Sequence, residues 1–419
     1  MKIGFFTDRY FPLIDGVSVS IDIFARDLEK LGHEVFIFCP APAKKIPNEP
    51  SNIIRFRSIR SIFHPDHRDT MPWTPANARL IRSFNLDVIH VHTPTPIGFM
   101  GARIAIADNI PLVTTYHTDI EQYAKIYKRL LGGFVVGTLV GPLILNAPVG
   151  LRERIASMRS TDSTVSWSSK LVRETLNAFH QNFDLVLAPS RKIERLLKKY
   201  RTPAEIAVLP TGIDLAETKL KTTYSLHKEY NLPSDTPILL YLGRIGQEKN
   251  LELLVRALPH ILHKQPMARL VLAGPGKEET ERLQDIAHHL SVDDNVIFTG
   301  GLNRTQVVGA LRSCTTFVFP SITDTQGLVI NEACAQSKPI VYVDDKISEL
   351  THNHRNGLHA RNNPRDFAHK CLKILESPSL QSKFGAESLR LAQSYSGENQ
   401  ARQLIVFYRD LIEQSQSQL

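Results

Sequence analysis

The sequence predicts an α/β protein built from two doubly wound, Rossmann-like domains. Three observations carry that prediction. The chain has 419 residues, about three times the roughly 150 of a single domain. Short apolar, β-branched runs alternate with stretches whose apolar residues recur at three and four, the rhythm of βαβ units. That rhythm breaks at the turn-like Leu209-Pro210-Thr211-Gly212 and then restarts. A composition of 42% apolar and 22% charged residues is that of a globular protein and excludes a disordered or fibrous chain.

The elements follow in chain order. Lys2–Phe6, Glu34–Phe38, Asp87–His92, Pro111–Thr115 and Asp184–Ala188 are near-continuous apolar runs, as strands buried on both faces require. Between them, Val17–Leu31 and Thr95–Ala107 carry helical periodicity. After a boundary near residue 207 the strands resume as Ile238–Leu242, Arg269–Ala273, Asn295–Thr299, Thr316–Phe319 and Pro339–Val343. This gives a first domain over 1–206, a second over 207–395, and a C-terminal segment 396–419. In that segment Gly397–Glu413 is an amphipathic helix expected to return to the first domain through Leu404, Ile405, Phe407, Tyr408, Leu411 and Ile412. Ligands of paired open sheets are expected at the carboxyl ends of the strands, in a cleft between the lobes.

Fifty basic against forty-two acidic residues leave a charge of +8. Residues 1–205 hold 27 bases and 19 acids and the remainder 23 of each, so the first domain carries the whole surplus. Such asymmetry suits an anionic partner, nucleic acid or an acidic lipid surface; a solvated basic face is the plainer alternative. Met1–Phe5 has none of the serial parts of a signal peptide and reads as a first strand. The four cysteines Cys39, Cys314, Cys334 and Cys371 form no CxxC pair, which argues against a zinc site or a disulfide framework and fits a reducing cytoplasm. The apolar stretch Phe134–Val149 is sixteen residues with Pro142 inside, short of the roughly 20 that span a bilayer.

Three stretches carry chemistry. After the strand Thr316–Phe319, the loop with Asp324, Thr325, Gln326, Gly327 and Leu328 opens a helix bearing Glu332. Amides at a helix start and two carboxylates eight residues apart suit a polar, hydroxyl-rich ligand; a capping Asp and a solvated Glu would look the same. After the strand Ile238–Leu242, the loop Gly243–Asn250 presents Arg244 and Lys249, a guanidinium and an ammonium able to neutralise a diphosphate or simply to face water. In the first domain, Asp15 and Gly16 close the loop after the first strand, where helix amides can meet phosphate. There His117 follows a strand by one residue and can hydrogen-bond a hydroxyl or a developing charge. Metal ligation is not expected for it, because His90 and His92 belong to another strand end and no HxxxH or HxxE spacing surrounds it. Either of those two histidines can be a buried, satisfied core residue.

Together the runs Thr115–Asp119 (TYHTD), Pro210–Leu215 (PTGIDL), Gly243–Asn250 (GRIGQEKN) and Asp324–Ala333 (DTQGLVINEA) resemble the retaining glycosyltransferases of family 4, which share the two-lobed GT-B fold. The resemblance covers nearly the whole chain, and its nearest form is the bacterial 1,2-diacylglycerol 3-glucosyltransferases, whose openings resemble FFTDRYFPLIDGV. It implies that Glu332 binds a nucleotide ribose and that Arg244 and Lys249 hold the diphosphate. Asp324, with Thr325 and the backbone of Gln326, Gly327 and Leu328, would contact the hexose. His117 would lie beside the anomeric carbon, and Gly16 with Asp15 beside the phosphates. The family usually has Glu where this chain has Asp324, a side chain one methylene shorter.

The expected activity is retaining transfer of a hexose, glucose from a UDP-linked donor, to a membrane lipid such as diacylglycerol. Arg244 and Lys249 stand where a cation would, so no metal requirement and no cofactor are expected. For the acceptor, Tyr123, Ile126, Tyr127, Leu130 and Phe134 recur at helical spacing with Lys125, Lys128 and Arg129 between them, the pattern of a helix lying on an anionic membrane. Core packing or a dimer contact is the alternative. The expectation is therefore a cytoplasmic enzyme held at the inner face of the cell membrane. Rival readings are a soluble or inositol-phospholipid acceptor and, remotely, a nucleic-acid-binding protein; no basic groove with stacking aromatics supports the last.

Overall fold

The computed structural model describes residues 1–60, 68–70, 74–119, 121–122 and 167–417. It divides into two compact units, Met1–Thr211 with Glu398–Leu419, and Gly212–Gly397.

The first unit contains β1 (Lys2–Phe6), β2 (Glu34–Pro40), β3 (Ile53–Phe56), β4 (Ser58–Arg60), β5 (Arg68–Thr70), β6 (Val88–Val91), β7 (Leu112–Thr115), β8 (Leu185–Ala188) and β9 (Glu205–Val208). Seven of these form one sheet in the order β3-β2-β1-β6-β7-β8-β9, every neighbour parallel. β4 and β5 make a separate antiparallel pair. The strand order reverses at β1, so the carboxyl ends of β1 and β6 flank the switch point where open α/β sheets bind ligands. The expected strands are present; β3, β4, β5 and β9 are additional, and of the two that join the large sheet β3 has its apolar run broken by Arg55 and β9 opens on Glu205.

Helix Gly16–Lys30 packs Val17, Ile21, Phe24, Ala25 and Leu28 against the sheet residues Ile3, Phe5, Val35 and Ile37. Helix Gly397–Ser417 runs four residues beyond its expected end. Its Leu404, Ile405, Tyr408 and Leu411 join that same core beside Val88 and Val113. Each such fully buried apolar side chain contributes about 1.5–3 kcal/mol.

The second unit repeats the scheme with β10 (Ile238–Leu242), β11 (Arg269–Ala273), β12 (Val296–Gly300), β13 (Thr316–Phe319), β14 (Ile340–Tyr342) and β15 (Gly357–His359). The order is β12-β11-β10-β13-β14-β15, all parallel. Here the switch point lies between β10 and β13, whose residues are buried throughout. The two loops singled out in the sequence leave those two strands side by side. All four cysteines are buried and free, and among the described residues no helix is long and apolar enough to cross a membrane.

Candidate functional site

In the second unit the loops after β10 and β13 are sewn together. Lys249 Nζ lies 2.5 Å from Asp324 Oδ1, with side-chain exposures of 14% and 20%. Thr323 Oγ1 donates to the Glu248 carbonyl at 2.9 Å, and Asn250 Nδ2 donates to the Pro320 carbonyl at 3.1 Å. Arg244 donates from Nη2 to Glu248 Oε1 at 2.5 Å, while the Glu248 side chain is wholly buried. Its fit depends on Gly246: a Cβ there would stand 2.6 Å from Glu248 Oε2. Tyr241, beneath the loop at the end of β10, donates its hydroxyl to the Arg244 carbonyl at 3.1 Å.

Gly327 takes the left-handed conformation at φ 68° and starts helix Leu328–Ala335, a backbone setting that favours glycine. Gln326 and Asn331 beside it are buried, while Thr325, Leu328 and Glu332 are partly exposed. Glu332 Oε1 accepts from Arg304 Nη1 at 2.9 Å, and Arg304 opens helix Arg304–Ser313. The structure thus brings Arg244, Lys249 and Asp324 onto two touching loops and pairs Glu332 with Arg304. Glu248 and Arg304 were not singled out from the sequence; a Glu directly before the loop lysine was the available signal for the first, and nothing local marks the second.

In the first unit Asp15 caps helix Gly16–Lys30. Its Oδ1 accepts from the amides of Val17 and Ser18, both at 2.9 Å, and the Asp15 amide donates to Ser18 Oγ at 2.9 Å. Two of the helix amides expected to meet phosphate are therefore taken by Asp15. The other carboxylate oxygen pairs with Arg9 Nε at 2.8 Å. His117 is partly exposed at the carboxyl end of β7. Burial of its ring pushes its pKa down to about 4; Asp15 opposes this shift and Arg9 adds to it, so the imidazole is neutral at pH 7.

His90 and His92 belong to another strand end than His117, as expected, but β6 and β7 are neighbours, and His92 Nδ1 lies 2.9 Å from His117 Nε2. The expectation that one of the alternating pair is buried understates the structure. Both are buried, because residues two apart along a strand direction share a face and their rings stack together. Among the described residues no group of three or more His, Cys, Asp or Glu is placed to hold a metal ion. Beyond His117 the chain is fixed by Glu121, which accepts from Tyr200 at 2.5 Å and from Arg173 Nε at 3.1 Å. Tyr123, Lys125, Ile126, Tyr127, Lys128, Arg129 and Leu130, and the run 134–149, lie outside the described residues.

Comparison with known proteins locates this arrangement. Residues 14–217 match the family described as Glycosyltransferase Family 4, and residues 224–390 match Glycosyl transferases group 1. The chain is 29% identical over 359 residues to an alpha-monoglucosyldiacylglycerol synthase of Streptococcus pneumoniae, covering 83% of this chain and 74% of that protein. It is 25% identical over 433 residues to the alpha-monoglucosyldiacylglycerol synthase of Acholeplasma laidlawii, covering 100% and 99%. Among solved structures it is similar to Anabaena HepE in complex with UDP and glucose, with a TM-score of 0.71 at 16% identity over 98% of this chain and 100% of that one. The two family matches run in series over most of the length, each on one α/β unit, and the chain belongs to the glycosyltransferases of family 4 with the GT-B fold.

Proposed function

We propose that this glycosyltransferase moves glucose from UDP-glucose to diacylglycerol at an anionic membrane surface, with retention at the anomeric carbon. The observation that carries the reading is that Arg244 and Lys249 stand on the loop after β10 and Asp324, paired with Lys249, on the loop after β13, at the switch point of the second sheet. Two cations there can hold a diphosphate and stabilise its charge as it departs, while a carboxylate within reach of Lys249 can accept bonds from sugar hydroxyls. The product named for the relatives from Streptococcus pneumoniae and Acholeplasma laidlawii supports the choice of sugar and acceptor.

In this reading the second unit holds the donor, Glu332 binding the ribose and the Thr325–Leu328 segment the hexose. The first unit supplies His117 to orient a sugar oxygen, and Gly16 with Asp15 near the phosphates. A double displacement needs a carboxylate about 5 Å from its partner on the opposite ring face, and the sequence offers no candidate for one. The reaction is therefore a same-face substitution through an oxocarbenium-like transition state, in which the departing diphosphate accepts the acceptor's proton. Arg244 and Lys249 supply the positive charge, so the rate is independent of added metal. Tyr123, Lys125, Ile126, Tyr127, Lys128 and Arg129 are proposed to meet the membrane, in keeping with the basic surplus of residues 1–205.

The test is a nucleotide-sugar screen with and without dioleoylglycerol in phosphatidylglycerol vesicles, with products identified by mass and anomeric configuration by NMR. UDP release that needs the diacylglycerol and yields the α-glucosyl lipid is the expected outcome. A family relative described as a D-inositol 3-phosphate glycosyltransferase, from Thermobifida fusca, is 28% identical over 341 residues, so inositol phosphate belongs in the panel. Preferential transfer to it overturns the lipid acceptor.

A further inference from the structure

His92 is buried in the first unit and held on three sides. Its ring stacks on His90 at a centroid distance of 4.1 Å and an interplanar angle of 22°. Phe5 meets it edge-on at 4.7 Å. Its Nδ1 lies 2.9 Å from Nε2 of His117, whose ring is tilted 27° from its own. His90 is committed elsewhere: its Nδ1 is 2.6 Å from the Tyr408 hydroxyl and its Nε2 is 2.8 Å from Thr115 Oγ1. His90 thus packs against His92 with both its nitrogens engaged.

The contact between His92 and His117 holds a single proton, since burial keeps both rings neutral. If that proton sat on His117, the proton of His92 would sit on its own Nε2. That atom is buried and meets no hydrogen-bond partner among the described residues. A buried N–H with no acceptor is the rarer state in folded proteins. The alternative places the proton on His92 Nδ1 and leaves Nε2 a bare lone pair.

We infer that His92 is a positioning residue: it donates from Nδ1 to Nε2 of His117 and so holds the His117 ring in the tautomer that carries its proton on Nδ1, a hydrogen-bond donor toward a ligand oxygen. The ring hold is independent of what the enzyme transfers. Only the consequence for turnover rests on the proposed function, where a donor at this position suits a sugar oxygen gaining negative charge.

The full-length chain, labelled with 15N in histidine, reads the tautomer directly in long-range 1H–15N spectra, with His117→Gln assigning the His117 signals. The expected result is His117 as the Nδ1–H form in the wild type and a mixture of tautomers in His92→Phe, which keeps the stack but has no donor. His117 as the Nε2–H form, or an unchanged spectrum in His92→Phe, overturns the inference. Kinetics with UDP-glucose and dioleoylglycerol vesicles supply the second reading. His92→Phe and His92→Gln lower kcat by roughly 10- to 100-fold, as loss of positioning does, with KM for the donor little changed. His92→Asn, whose amide nitrogen reaches the place of Nδ1, restores most of the rate. Equal losses in His92→Asn and His92→Phe would make His92 a packing residue only and refute the inference. If the wild type does not turn over UDP-glucose, the proposed function fails on its own and the spectra alone decide His92.

Discussion

Replacing Lys249 by methionine removes the ammonium while keeping most of the side chain's volume. In the structure Lys249 and Asp324 are 2.5 Å apart and only 14% and 20% exposed. Deletion takes the ammonium away from a carboxylate that is four-fifths sheltered from water. Net of the desolvation the pair already bears, the stability loss is about 1–3 kcal/mol. For a unit of this size that lowers Tm by roughly 2–10 °C, which leaves a folded protein to assay. The catalytic loss is separate. If the ammonium stabilises charge that develops on the departing diphosphate, kcat falls by about 10²–10³, or roughly 3–4 kcal/mol of barrier. Ground-state binding alone would raise KM for UDP-glucose and spare kcat. Steady-state UDP release on diacylglycerol vesicles separates the two, and Lys249→Met combined with Asp324→Asn recovers stability without recovering rate. A kcat within about threefold of the wild type in a protein whose Tm has dropped would refute the role given to Lys249.

Gly246→Ala places a methyl 2.6 Å from Glu248 Oε2; the buried carboxylate must shift and release Arg244, so thermal denaturation and kcat both fall, and an unchanged kcat would show that Arg244 needs no such support. His180 is buried with its pKa lowered from 6.5 to about 4 by burial. The folded state resists its protonation, so the stability it contributes is present above pH 6.5 and is lost as pH falls toward 4, about 3 kcal/mol. His180→Phe flattens that part of the urea midpoint against pH curve, and equal acid losses in both proteins would contradict it. Activity in EDTA matches that in added Mg2+; a loss under chelation that Mg2+ restores would return the diphosphate's neutralisation to a metal. Flotation with phosphatidylglycerol vesicles exceeds that with phosphatidylcholine vesicles and weakens with salt, and equal recovery with both lipids would remove the membrane surface from the reading.

Much of this was legible in the sequence because parallel strands buried on both faces leave long apolar runs, and KIGFF or ILLYL can hardly be anything else. Strands at or near sheet edges were harder: IIRF and EIAV carry a charge where one face meets water or a side-chain partner. At the site, local spacing exposed Arg244, Lys249, Asp324 and Glu332 because each follows a strand that ends at the switch point. Spacing could not reveal that Lys249 pairs with Asp324 across 75 residues, or that Glu332 meets Arg304, because those contacts are made by strand order and not by sequence. His92 was visible as a residue but not as a neighbour of His117, since adjacency of β6 and β7 is a property of the sheet. Asp15 reads in the sequence as a ligand contact, and its evident duty in the structure is the helix cap.

Helix Gly397–Ser417 completes a core that Lys2–Phe6 begins, with the whole of Gly212–Gly397 made in between. During synthesis the contiguous second unit can finish folding as soon as it emerges, whereas the unit started first must wait, its groove around Ile3, Phe5 and Val88 unfilled, for residues some two hundred positions later. At about 5–20 residues per second that is a wait of roughly ten to forty seconds with apolar surface bare, so shortening the helix should penalise yield in cells before it alters any rate constant of the protein that survives.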